Sequence, residues 1–187
     1  DGGIVVEGGL QAALLDAGGF GSYSQVGTSS ITGRLGFGDT SELRFEVPDL
    51  VYTLGGSGRM GVGSVGIGGK FSHEVTAELA VSAVPTVRLS LDTGDPALSV
   101  SFNATYDAGT VSPWLNLTPA YTPGGLSGFL GGGVSLPLDP AGAYFHAGVF
   151  DSGGWMAGAG GWLGLDDGLQ VDVGLDAQVI SGLTIWL

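Results

Sequence analysis

The segment from Leu169 to Val179, LQVDVGLDAQV, constrains the fold more than any other stretch of the chain. Leu169, Val171, Val173, Leu175, Ala177 and Val179 share one parity, and Gln170, Asp172, Gly174, Asp176 and Gln178 share the other. Successive side chains of a β-strand point to opposite faces, so this segment has one apolar surface and one wet surface. Its eleven residues match the roughly 9–11 that a tilted strand needs to cross the hydrocarbon core of a bilayer. The alternation reads as a transmembrane strand with lipid on one side and water on the other.

The same alternation recurs along the chain. Ile4, Val6, Leu10, Ala12 and Leu14 oppose Glu7 and Gln11, and a Gly/Ser-rich connection follows. Ile31, Leu35 and Phe37, then Leu43, Phe45 and Val47, flank Gly38-Asp39-Thr40 and predict a hairpin. Pro48 and Asp49 disturb the pattern, and residues 54–58 read as a loop. Within Gly61–Phe71 the apolar parity slips between Val62 and Val65. A one-residue slip turns every later side chain over, so a bulge near Gly63-Ser64 is expected. After a turn at Ser72-His73-Glu74, one long strand is expected from Val75 through Pro85 to Leu91. Turn residues at Asp107–Gly109, Thr122–Gly125, Asp139–Gly142, Asp151–Gly154 and Asp166–Gly168 separate the remaining alternating runs, and the chain closes on Leu183, Ile185 and Leu187.

Composition narrows the class. The chain is 43 % hydrophobic with a mean hydropathy of +0.36, yet no run approaches the ~18 apolar residues of a membrane-spanning helix. Glycine supplies 38 of 187 residues with no collagen period, and strand glycines mark bends, bulges or close backbone approach. Eighteen acidic residues against five basic ones give a net charge of −13, which excludes a nucleic-acid binder, because that needs a basic surface. Most aspartates lie between the alternating runs, where Asp hydrogen-bonds its own backbone in turns. There is no cysteine, so neither a disulfide framework nor thiolate chemistry is available. The sequence opens at Asp1 without a basic and then apolar leader, so any export signal is expected to be removed or absent.

An apolar face against lipid leaves no water for unpaired backbone groups, so an open sheet edge is costly there and closure removes it. The expected fold is therefore all-β: a closed antiparallel transmembrane β-barrel of about twelve strands, one domain over residues 1–187, in the outer membrane of a Gram-negative-type envelope, with both termini on the periplasmic side. Two packed sheets of a soluble sandwich carry the same alternation and are the competing fold. The apolar parity bears Leu, Val, Ile or Phe in nearly every run, enough to coat an exterior, whereas the opposite parity mixes charges, amides, hydroxyls and glycine as a wet lumen would. Phe37, Tyr106, Tyr121 and Trp155 near strand ends suit interfacial girdles.

The polar parity supplies the candidate lining. Glu7, Arg34, Glu42, Arg44, Glu46, Lys70, Glu78 and Arg88 fall in the first strands, and Asp172 and Asp176 return near the end. Closure brings the two groups close together as one charged arc. The other arc is polar and aromatic: Asn103, Trp114, Asn116, Phe129, Tyr144, His146 and Trp162, with Ser99, Ser101, Thr105 and Phe150. Aromatic faces for apolar parts and fixed charges for polar parts describe a channel for passive diffusion of small solutes, and acidic rims favour cations. Paired interior charges also prop or plug narrow barrels, which keeps a non-conducting structural or anchoring barrel of an envelope complex as the alternative. A barrel hydrolase needs a serine, a histidine and an orienting group. His73 lies in a turn, His146 meets Ser135 only if the registers agree, and no catalytic residue, metal set or cofactor site is assigned.

Thr40–Pro48 (TSELRFEVP), Gly61–Phe71 (GVGSVGIGGKF) and the pair Pro85-Thr86 resemble successive segments of the meta-pathway phenol-degradation family of outer-membrane transporters. Gly168–Gly174 (GLQVDVG) and the last hydrophobic strand resemble that family's end. The resemblance implies a porin-like channel for aromatic or other hydrophobic compounds, with membrane lipid or lipopolysaccharide and the outer-membrane assembly machinery as partners. Three positions depart from the family: Ser64 replaces its usual Asp, His146 stands where an acidic residue is common, and Leu187 replaces the terminal aromatic that the assembly machinery reads.

Overall fold

The computed structural model describes residues 4–8, 10–16, 22–28, 31–54, 59–166, 169–178 and 182–186. Sixteen strand segments account for most of them: β1 (Ile4–Glu7), β2 (Leu10–Asp16), β3 (Ser22–Thr28), β4 (Ile31–Phe37), β5 (Ser41–Val47), β6 (Leu50–Leu54), β7 (Arg59–Val62), β8 (Ser64–Glu74), β9 (Leu79–Ser90), β10 (Pro96–Tyr106), β11 (Ser112–Thr122), β12 (Gly125–Leu138), β13 (Ala141–Phe150), β14 (Trp155–Asp166), β15 (Leu169–Gln178) and β16 (Gly182–Trp186). They form one antiparallel sheet in the order β1-β4-β5-β8-β9-β10-β11-β12-β13-β14-β15-β16-β2-β3-β6-β7. From β8 to β16 each segment pairs with the next in sequence, as a meander of hairpins requires.

The burial pattern is inside out relative to a soluble sheet. Val171, Val173 and Leu175 are 45, 49 and 55 % exposed, and each strand from β4 to β15 carries exposed large apolar side chains, for example Leu98 and Phe102 on β10 or Leu115 and Leu117 on β11. The most buried hydrophobic and polar side chains among the described residues, Val84 and Thr86 at 8 % each, lie on the parity of Ser82 and Arg88, the polar side. The covered face of the sheet is thus the hydrophilic one, and a soluble sandwich, which would bury Leu and Val centrally, is ruled out.

Several expectations are corrected. About twelve strands in a closed ring were expected, whereas sixteen hydrogen-bonded segments are present among the described residues and their order ends on β1 and β7. The excess arises in the first third of the chain, where Pro48-Asp49 and Gly63 split longer runs and where residues 9, 29 and 30 lie outside the described residues. The Gly/Ser-rich stretch expected to be a connection contains β3, which pairs with both β2 and β6. Its weak alternation hid it. The parity slip between Val62 and Val65 is present, but no residue is inserted. Glu46 pairs with Gly66 and Leu50 with Val62, so the register is the same on both sides of the gap. Both strands turn over together, Pro48-Asp49 opposite Gly63, and the Gly63 amide donates to the Asp49 carbonyl at 2.9 Å.

The long strand expected from Val75 to Leu91 begins only at Leu79. Residues 75–78 turn instead, with the Val75 and Thr76 amides donating to the Leu79 carbonyl and the Thr76 hydroxyl accepting from the Glu78 and Leu79 amides. A threonine that closes such a loop outcompetes strand alternation locally. Glu78 therefore sits in an exposed turn, not on the strand wall where it was expected. The connections at 17–21, 55–58 and 167–168 and the last residue, Leu187, lie outside the described residues.

Candidate functional site

The polar parity forms a continuous wall, and register decides which of its side chains meet. On the first strands the charges pair. Arg34 of β4 donates to Glu7 of β1 at 2.6 Å and lies 3.8 Å from Glu42 of β5, which accepts from Arg44 at 2.6 Å. Arg88 of β9 grips Glu46 of β5 with two donors, at 2.5 and 2.8 Å, and reaches the Ser99 hydroxyl at 3.4 Å. Bidentate guanidinium–carboxylate geometry adds orientation to attraction. Lys70 stands opposite Glu42 in register.

Glu46 and Arg88 are on β5 and β9, with β8 between them. The residue of β8 at that row is Gly66, paired with Glu46 on one side and Arg88 on the other. A methyl group at Gly66 would meet the Glu46 carboxylate at 2.6 Å. The glycine is a floor over which the ion pair lies.

The aromatic side repeats this arrangement on a larger scale. One row across five strands reads Trp114, Gly133, His146, Gly158, Asp176. The Trp114 ring lies over Gly133, where a methyl group would meet it at 2.7 Å. His146 crosses above Gly158 to place Nε2 2.8 Å from Asp176 Oδ1, and the two side chains are only 17 and 16 % exposed. In the next row Tyr144 reaches over Gly160 to Gly174, which would meet its hydroxyl at 2.5 Å if it carried a methyl group. Trp162 covers Gly142, and Phe129 covers Gly131 and Gly148 while packing on Phe150 with ring centroids 5.1 Å apart. The His146 ring has its centroid 6.0 Å from that of Tyr144 and 6.4 Å from that of Trp114. These large side chains lie along the wall because the glycines beside them leave room.

Between the two regions runs a hydroxyl and amide ladder. Asn116 donates to Asn103 at 2.6 Å, the Thr118 hydroxyl contacts Ser101 at 2.8 Å and Asn116 at 2.9 Å, and Asn103 reaches Ser82 at 3.5 Å.

The structure therefore brings together Glu7, Arg34, Glu42 and Arg44, then Glu46 and Arg88, then Asn103 and Asn116, then Trp114, Tyr144, His146 and Asp176. It separates others. Asp176 pairs with His146 rather than with a base of the charged arc, and Asp172 accepts only from Gln170 of its own strand among the described contacts. Ser135 is opposite Tyr144, not His146, and among the described residues no hydrogen bond joins Ser135 to His146, so the condition for a hydrolase is unmet. No group of three or more potential metal ligands occurs among the described residues. Sequence reasoning collected these residues by parity but missed the glycine floors. The signal available was an aromatic or charged residue on one strand set against glycines of matching parity on the next.

Charge is distributed unevenly. All five Lys and Arg residues precede Leu89, and no basic residue other than His146 follows. The described turns carry acids only: Asp39, Glu78, Asp92, Asp95, Asp107, Asp139 and Asp151, all exposed.

Comparison with known proteins supports the fold. No family model matches the chain, and no curated protein matches it, so the resemblance to the phenol-degradation transporters finds no support there. Among solved structures, the chain is similar to a KdgM porin in complex with disordered oligogalacturonate, at a TM-score of 0.69 and 8 % identity over 97 % of this chain and 96 % of that one. It also aligns with the anion-selective porin from Comamonas acidovorans at a TM-score of 0.42 and 11 % identity, covering 95 and 90 % of the two chains. What the 0.69 match establishes is that this chain has an all-β, antiparallel porin fold.

Proposed function

We propose that the chain is an outer-membrane channel for small solutes, built as a closed barrel of twelve crossings. Four facts of pairing support closure. β1 and β2 are successive pieces of one run and pair with β4 and β3, which are successive pieces of the next. β5 and β6, then β7 and β8, continue the same pattern. At the other end of the order β16 pairs with β2, so the last strand meets the first run. Counted as runs, this pairing supports a ring, and a closed ring would leave no edge for lipid to meet.

The observation that carries the channel reading is the flat packing of the polar wall. A plugged barrel would send long side chains across its interior. Here Trp114, Phe129, Tyr144, His146 and Trp162 lie over glycines, and Glu46 and Arg88 lie over Gly66. The lining consists of the polar-parity residues named above, without Glu78, which belongs to a rim. The exposed Leu, Val, Ile and Phe of the other parity meet membrane lipid or the acyl chains of lipopolysaccharide. Insertion in such a membrane requires the outer-membrane assembly machinery. The acidic turns, with no Lys or Arg in any described one, favour cations by concentrating them at the mouths. The porin match says nothing about charge preference, and it is the turns alone that support this sign.

Planar-bilayer recording tests both parts. Steady current with a reversal potential of the cation-preferring sign under a potassium chloride gradient is expected. Absence of current in correctly folded protein would leave the anchoring barrel, and an anion-preferring potential would remove the role given to the acidic turns.

A further inference from the structure

We infer that the wall formed by β11 to β15 is a binding site for organic cations that carry an aromatic ring, such as arylalkyl ammonium ions. This deepens the channel reading and rests on its assignment of the polar face to the interior. Trp114, Tyr144, His146 and Trp162 each lay ring atoms over a glycine of the neighbouring strand, and the Tyr144 and His146 rings are within 20° of parallel. All four side chains are half-buried, so each keeps part of its ring open to the space in front. Asp172 and Asp176 stand at the edge of this pavement on β15, on either side of Gly174, under the end of Tyr144. Trp162 is opposite Asp172 in register, and His146 reaches Asp176 across Gly158.

The charge of this wall has one sign. Asp172 is exposed, with contacts only to the Gln170 amide among the described residues, and no Lys or Arg occurs anywhere after Arg88. A cation in front of the wall finds the negative faces of π systems and an uncompensated carboxylate. An anion finds the same groups and is repelled. The ring of an aryl cation adds stacking on Tyr144 or Trp162, which a small cation such as tetramethylammonium lacks.

The test uses the full chain folded in neutral detergent, with benzyltrimethylammonium as probe and tetramethylammonium, benzyl alcohol and benzenesulfonate as comparators. Binding is read from quenching of tryptophan fluorescence and checked by isothermal titration. Benzyltrimethylammonium is expected to bind more tightly than all three comparators. Asp172→Asn should weaken it about fivefold, the effect of one unit charge at about 4 Å in water, and Tyr144→Leu about two- to fivefold, the range of one exposed cation–π contact. Asp172 lies at an exposed position with a single weakly held partner, so its variant is expected to fold. Equal binding of benzenesulfonate, or affinity unchanged in both variants, would overturn the inference. Channel and site fail separately: binding without bilayer current removes the channel and leaves the site, and current without binding of the aryl cation removes the site alone.

Discussion

Gly158→Ala tests the claim that glycines on the polar parity exist to let neighbouring side chains lie flat. A methyl group at Gly158 would collide with the Asp176 carboxylate and with the His146 imidazole at 2.7 Å, so their 2.8 Å contact cannot persist unchanged. A hydrogen bond to a charged group contributes about 1.5–3 kcal/mol. Both partners are well under a third exposed, so water replaces little of it. Against this, alanine in a strand interior is favoured over glycine by roughly 0.5–1 kcal/mol. The net expectation is a loss of about 1–2 kcal/mol. Gly128→Ala is the control: nothing lies within 4 Å of its added methyl group, so it should gain up to the same roughly 0.5–1 kcal/mol. Equilibrium urea unfolding in lipid vesicles, followed by tryptophan fluorescence, separates the two. In the background of His146→Ala the Gly158→Ala penalty should shrink, because one of the two clash partners is gone and the Asp176 carboxylate, no longer held by the imidazole, is free to move aside. Equal stability of the two alanine variants would refute the floor argument.

Three further outcomes follow from the same geometry. Leu117→Arg places a charge on the exposed apolar face of β11 and should cost about 2–4 kcal/mol near the bilayer midplane; Ser135→Arg on the polar face should fold normally and shift the reversal potential toward anions. Glu46→Gln should cost no more than about 1 kcal/mol, since Arg88 is 43 % exposed and rehydrates, and the difference from wild type should shrink in high salt during urea unfolding. Gly66→Ala should cost more than Glu46→Gln, because its methyl group meets the Glu46 carboxylate at 2.6 Å while leaving both charges in place.

Strand alternation was legible because a two-residue period survives any tertiary context that buries one face. That is why β10 to β16 begin and end within about two residues of where turn residues and parity place them. The first third was less legible for a physical reason. Where parity turns over in two paired strands together, as at Pro48-Asp49 and Gly63, register is kept by backbone bonds that leave no mark in either strand alone. β3, with Ser22, Ser24 and Gly27, has almost no apolar alternation to read. The site was legible as a list of side chains and not as contacts. His146 was expected beside Ser135 if registers agreed; the register sets it in line with Gly133 and Gly158, and so with Asp176. Glu78 had the right parity for the wall but lies in a turn closed by Thr76, whose hydroxyl accepts from two backbone amides and contacts the Glu78 carboxylate, contacts that a strand pattern cannot encode.

The proposed channel requires the apolar parity to face lipid and the polar parity to face an enclosed aqueous interior. The chain contains no cysteine, so single Val171→Cys, Asp172→Cys, Val173→Cys, Leu175→Cys and Asp176→Cys variants each report one position. In protein folded into vesicles, the variants at 172 and 176 should react with a membrane-impermeant thiol reagent, while those at 171, 173 and 175 should resist it and, once carrying a fluorophore, be quenched by spin-labelled lipid. The opposite alternation, or no alternation, would contradict the account.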